Sequence, residues 1–141
     1  MGHLSTSFSI VADPDSVSQK MVSRVLARAG ITPAGASTPA AAANLLAQLS
    51  GKVQLMFLAP AVPLCDAVAL ATAARDNDPG VAVLVAFDDP AVRAACGSLD
   101  ASGVFLLPST YSVREVAHAV QRALSSGRQP PRASRGDLSM D

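Results

Sequence analysis

The chain switches repeatedly between two hydrophobic periods, and the switching predicts its architecture. Phe8-Ser-Ile-Val-Ala12 is a short apolar run that stops at Asp13-Pro-Asp15, as a strand entering a turn would. From Ser16 the period becomes helical: Val17, Met21, Val25 and Leu26 share one face, with Ser18, Gln19, Lys20 and Arg24 elsewhere. Gly30 stops this helix. Residues 31–36 are a weaker strand candidate carrying Pro33 and Gly35. Thr38-Pro39 then supplies an N-cap and a proline at the first helical position. The helix over 40–49 should turn Leu45, Leu46 and Leu49 inward and end at Gly51.

Val53-Gln-Leu-Met-Phe-Leu58 is the third strand, apolar except for Gln54, as expected of a strand covered on both faces. Asp66 is the predicted cap of an alanine-rich helix running to about Arg75, and 77–80 read as a turn. Residues 81–86 form the most β-like stretch. Asp89-Pro90 repeats the cap-and-proline device and opens a helix through about Gly97, and 103–107 are the fifth strand. Ser112 and Glu115 make a capping box for a last helix ending near Ser125, with Val113, Val116, Ala117, Val120 and Leu124 as its core face.

This order, β then α five times over, predicts an α/β fold: a doubly wound, five-stranded parallel sheet with helices on both faces. The functional edge of such a sheet lies at the carboxyl ends of its strands. Here those ends are Asp13, Ala59, Val85 or Ala86, and Leu107. One domain is expected over 8–125, after a disordered N-terminus at 1–7. Residues 126–141 have no period, two prolines and three arginines, and read as a flexible linker or tail.

Composition narrows the function classes. The 141 residues are 50% hydrophobic and 16% charged, which suits one globular domain. A formal net charge of zero removes the general electrostatic case for DNA, RNA or an anionic membrane. One Tyr and no Trp make a poor base-stacking platform. There is no secretory signal and no apolar run near the roughly 18 residues of a membrane span. Cys65 and Cys96 read as reduced thiols, so the expected compartment is cytoplasmic. No Gly-rich phosphate loop is present, and His118 has no partner at metal-ligand spacing, so no metal, cofactor or catalytic constellation is expected.

Five landmarks give a resemblance to the bacterial response-regulator receiver (CheY-like) family over 8–125. Ile10-Val-Ala-Asp-Pro-Asp-Ser-Val-Ser-Gln-Lys20 is similar to the family's first strand and acidic turn, and Arg28-Ala-Gly30 to the end of its first helix. Leu58-Ala-Pro-Ala-Val-Pro63 with Asp66 resembles the loop after the third strand, Phe87-Asp-Asp-Pro90 the start of the fourth helix, and Leu106-Leu-Pro108 the lysine–proline site. The resemblance implies a role in two-component signalling and phosphorelay, and implies chemistry that this chain lacks. The family's acidic pair holds Mg²⁺; here Asp13 remains, Pro14 replaces the second acid and Asp15 follows one place on. The phosphoacceptor aspartate is Ala59, the hydroxyl position is Val85 or Ala86, and the lysine is Leu107; no lysine follows Lys52. A pseudo-receiver that is not phosphorylated is therefore expected, not an enzyme, in a setting such as a hybrid histidine kinase. Asp13 and Asp15 are expected to cap the first helix rather than bind metal. The rival is a receiver phosphorylated on a substitute aspartate, Asp66 or Asp13.

Partners of such a domain would be other domains of the parent protein or a separate protein. In receivers, the surface of the fourth helix, fifth strand and fifth helix commonly makes such contacts. Tyr111, Arg114, His118 and Gln121 recur at spacings of three and four and are expected to share an outer stripe there, with Arg93 approaching the same side. Three readings stay open: a solvated helix face, a protein-interaction patch anchored by Tyr and Arg, or a nucleotide site. Some degenerate receivers bind cyclic di-GMP, which Arg114 could contact at a guanine edge while Tyr111 stacks.

Overall fold

The computed structural model describes residues 7–78, 80–87 and 103–128. In chain order these form β1 (Phe8–Ala12), α1 (Ser16–Arg28), β2 (Thr32–Ala36), α2 (Pro39–Gln48), β3 (Val53–Leu58), α3 (Leu64–Asn77), β4 (Ala82–Ala86), β5 (Val104–Leu107) and α4 (Val113–Arg128). The five strands make one sheet in the order β2-β1-β3-β4-β5, and every pairing is parallel. The chain winds outward from β1 to β2, then crosses back to β3 and continues the other way. α1 packs beside α4, and α2 beside α3. This is the doubly wound fold that the alternation of periods predicts.

Burial explains the strand composition. β4 is buried at every residue, and β1 and β3 at all but one each: Phe8 and Gln54 are half-buried. The core therefore centres on Ile10, Val11, Leu55, Met56, Phe57, Leu84 and Val85. The two edge strands are less apolar: in β2 only Ala36 is buried, and Leu106 of β5 is exposed.

The helix starts follow the predicted caps, with one exception. Thr38 Oγ1 accepts from Ala41 N–H at 3.1 Å. Ser112 and Glu115 close a reciprocal box, with Ser112 N–H donating to Glu115 Oε1 at 2.9 Å and Glu115 N–H to Ser112 Oγ at 3.1 Å. Gly30 and Gly51, which end the first two helices, have φ of 87° and 81°, where a side chain would be strained. The exception is Asp66. α3 starts two residues earlier than the predicted cap, after Pro63, so Asp66 sits inside the first turn, where its charge complements the helix dipole.

Two predicted core positions are exposed. Val17 lies roughly 140° around α1 from Val22, and the helix buries Val22 together with the predicted Leu26. Val113 opens α4 and is exposed, while Val116, Ala119, Val120 and Ala123 face the core. α4 also runs on to Arg128, past the predicted end near Ser125. The helix predicted from Asp89-Pro90, with Arg93 and Cys96 on it, lies outside the described residues, as do most of the predicted N-terminus and tail.

Ser112→Ala removes the hydroxyl half of the α4 capping box. It should lower stability by about 1 kcal/mol, read as a lower urea midpoint with an unchanged denaturant slope.

Candidate functional site

The sheet pairing runs one residue past several strand ends, and this builds the carboxyl edge. Asp13 N–H donates to the Ala36 carbonyl at 2.9 Å, Ala59 N–H to Ala12 at 3.1 Å, and Phe87 N–H to Leu107 at 3.1 Å. Leu58 pairs with Val85, and Ala86 with Leu107. Continuing that register sets Ala59, Ala86 and Leu107 in one row, with Val85 one row behind. Ala59, Val85, Ala86 and Leu107 are all buried.

The turn after β1 is held by its own side chains. Asp13 Oδ1 accepts from Asp15 N–H at 2.9 Å, closing an Asx turn across Pro14. Asp15 is the N-cap of α1: Oδ1 accepts from Val17 N–H at 3.1 Å and Oδ2 from the Ser18 hydroxyl at 2.9 Å. The expectation that both acids cap α1 thus divides: Asp15 caps the helix, and Asp13 holds the cap residue. Gln19 ties the turn down from the next turn of α1, donating through Nε2 to the Asp13 carbonyl at 2.9 Å. Its amide crosses β2 at Gly35, where a Cβ would run into it. Gln19 and Gly35 carried no signal as site residues in the sequence, because this contact joins two elements.

Asp13 is only 2% exposed, and its Oδ2 is buried without a hydrogen-bond partner. Burial raises its pKa above the ordinary carboxylate value, the Asp15 N–H opposes the rise, and the Asp15 charge adds to it. Beside it lies a cleft of about 280 Å³ lined by residues including Asp13, Asp15, Met21, Pro60, Ser109 and Tyr111.

Tyr111 corrects the sequence reading. It is half-buried, and its ring meets Phe57 of β3 edge to face, 5.5 Å between centroids at 80°. That geometry favours aromatic pairs and draws the ring to the cleft, away from the outer stripe. Burial first, then the Asp13 charge, raise the Tyr111 hydroxyl above its usual pKa; a hydrogen bond with Ser18 works against them and the Asp15 charge with them. Arg114, His118 and Gln121 remain exposed on α4, with Gln121 lining a shallow groove against Val25 and Arg28 of α1. The ring expected to stack on a guanine meets Phe57 edge to face and lines the cleft beside Asp13.

The donor set does not suit the divalent cation that receivers hold. Both Asp15 oxygens serve the α1 cap, Ala59 offers no side-chain oxygen, and Asp13 has one oxygen to give. Magnesium takes an octahedron of oxygens, part of it water, held through one or two carboxylates. Among the described residues no group of three His, Cys, Asp or Glu is placed to hold a metal ion, and no helix is long and apolar enough to cross a membrane.

A five-stranded parallel sheet in this order, with an acidic turn after β1, defines a fold seen many times. No protein-family model and no curated protein sequence matches the chain. Solved structures do. A response-regulator receiver protein from Sinorhizobium medicae superposes with a TM-score of 0.72 at 18% identity, covering 88% of this chain and 98% of that one. The receiver domain of an HD domain-containing protein from Pseudomonas fluorescens gives 0.69 at 20% identity, over 87% and 98%. The receiver domain of the hybrid histidine kinase CckA gives 0.67 at 18% identity, over 84% and 99%. The fold is that of the receiver domains of two-component systems.

The raised Asp13 pKa fixes a direction for stability. Between the unfolded value of 3.8 and the higher folded value, the folded state binds more protons, so this group's contribution falls as pH rises through that window and stays low above it. Asp13→Asn removes the ionisable group and keeps an oxygen for the Asp15 N–H. The melting temperature of the variant relative to the parent should therefore be higher at pH 7 than at pH 4.

Proposed function

We propose that this domain is a pseudo-receiver: a receiver fold that regulates by contact and takes no phosphoryl group. The observation that carries the reading is Ala59, 1% exposed at the end of β3 where the resemblance places the phosphoacceptor. Phosphoryl transfer to a receiver needs an attacking carboxylate, a cation to neutralise the transferred group and a hydroxyl to hold it. Ala59, Leu107 and Ala86 or Val85 stand in those places, and none has a polar side-chain atom.

The rival acceptors have other engagements. Asp13 Oδ1 accepts from Asp15 N–H, and Asp66 belongs to the first turn of α3. The domain's work is then binding, to another domain of a parent signalling protein such as a hybrid histidine kinase or to a separate protein. The receiver domains of an HD domain-containing protein and of a hybrid kinase, described above, support such a setting.

Incubation with acetyl phosphate and Mg²⁺, followed by intact mass, should show no added phosphate; a single phosphate mapped to Asp66 would favour the rival. Ala59→Asp tests the apolar replacement directly. The new carboxylate would be buried next to Asp13 without a cation, and unpaired buried charge of this kind costs about 3 kcal/mol or more. The variant should lose about that much by urea denaturation at neutral pH, and a variant as stable as the parent would count against the reading.

A further inference from the structure

Asp13 presents a carboxylate with one oxygen satisfied and one not. Oδ1 accepts from Asp15 N–H at 2.9 Å, and Oδ2 is buried with no hydrogen bond. Native proteins rarely leave such an oxygen unpaired, because its desolvation is not repaid. No lysine follows Lys52 in the chain, so the cation that the resemblance would bring after the fifth strand is missing. The cleft wall beside Asp13 includes Tyr111, whose ring is anchored edge-on to Phe57. The charges of Asp13 and Asp15 both act on the Tyr111 hydroxyl, which marks the cleft as electronegative.

We infer that this cleft is a receptor for an alkylammonium group, the charged end of a lysine side chain or of a free amine, held by Asp13 Oδ2 and the Tyr111 ring. Size favours a small guest. The cleft is about 280 Å³, just below the roughly 300–1,000 Å³ range of pockets for drug-sized ligands. Charge geometry selects the head group. A guanidinium fork wants both oxygens of one carboxylate. Asp13 has only Oδ2 to give, and both oxygens of Asp15 are engaged by Val17 and Ser18. An ammonium is a compact point charge with three donors on a flexible stem, so one carboxylate oxygen and one aromatic face suit it. A divalent cation is ordinarily held through one or two carboxylates with waters completing its shell, and here a single unengaged carboxylate oxygen is on offer.

This deepens the proposed function by giving the partner a chemistry. It rests on the domain being a binding module, and it stands or falls separately from phosphorylation. Tyr111 is the only tyrosine and the chain has no tryptophan, so intrinsic tyrosine emission reports on this cleft alone.

The test titrates the 141-residue chain with n-butylammonium chloride, using sodium chloride and tetramethylammonium chloride at equal ionic strength as controls, and reads tyrosine emission and amide NMR shifts. Saturable changes confined to 13–21, 59–61 and 109–111, absent with both control salts, are expected. Asp13→Asn should weaken binding at least about tenfold, as loss of a charge-assisted contact does. Tyr111→Leu, read by NMR, should weaken it about threefold, and it provides a second variant if the first does not fold. Tighter binding of Nα-acetyl-lysine amide than of butylammonium would assign the guest to a protein side chain, and the reverse order to a free amine. A response equal to that of sodium chloride, unchanged binding by Asp13→Asn, or Mg²⁺ saturating the same residues at lower concentration would overturn the inference. A chain that takes no phosphate from acetyl phosphate and also ignores butylammonium would keep the pseudo-receiver reading and lose this one.

Discussion

β1 and β3 lie at the centre of a parallel sheet with helices over both faces, so their side chains have almost no water to turn to. Every polar group there must either be absent or be satisfied within a few ångströms. Ser9 meets the condition with a hydrogen bond to the Thr32 carbonyl at 3.5 Å. Asp13, one residue past β1, meets it only half-way, with Oδ1 bonded and Oδ2 not. The rest of the carboxyl edge can be understood from that position. Pro14 offers no N–H to compete for the carboxylate, Asp15 turns the chain and caps α1, and Gln19 fastens the Asp13 carbonyl. Around this one acid the other strand ends have gone apolar, and no second buried charge among the described residues shares its row.

Sequence periodicity was enough for the architecture, because the strong elements are strong locally. β3 and β4 are runs of apolar residues with defined stops, and Thr38 and Ser112 name their own helix starts. The weaker readings failed where the answer lay in the neighbours. Val17 has the right residue type for a core and the wrong angle for this one. Asp66 looks like a cap, yet α3 begins ahead of it.

The same division holds at the site. Asp13, Ala59 and Leu107 could be placed from the chain alone, since each ends or follows a legible strand. Tyr111 could not. Its spacing to Arg114 and His118 suits a helix face, but it precedes α4 and is not bound by the helical period. Phe57, fifty-four residues away by number and 5.5 Å away by ring, decides its orientation. Aromatic contacts between distant segments leave no periodic trace, so the cleft and its likeness to a cation receptor emerge only in three dimensions.

The crossing of Gln19 over Gly35 has a further consequence. Because the amide occupies the space that a Cβ at 35 would need, the two positions are energetically one choice. A residue larger than glycine on the edge strand displaces Gln19 and releases the Asp13 carbonyl, while shortening residue 19 makes room and gives up the same hydrogen bond. Changes at the two sites are therefore non-additive: once Gln19 is gone, substitution at 35 has far less left to disturb. Through that pair the outermost strand of the sheet is coupled to the geometry of the buried carboxylate, and drift in one constrains drift in the other.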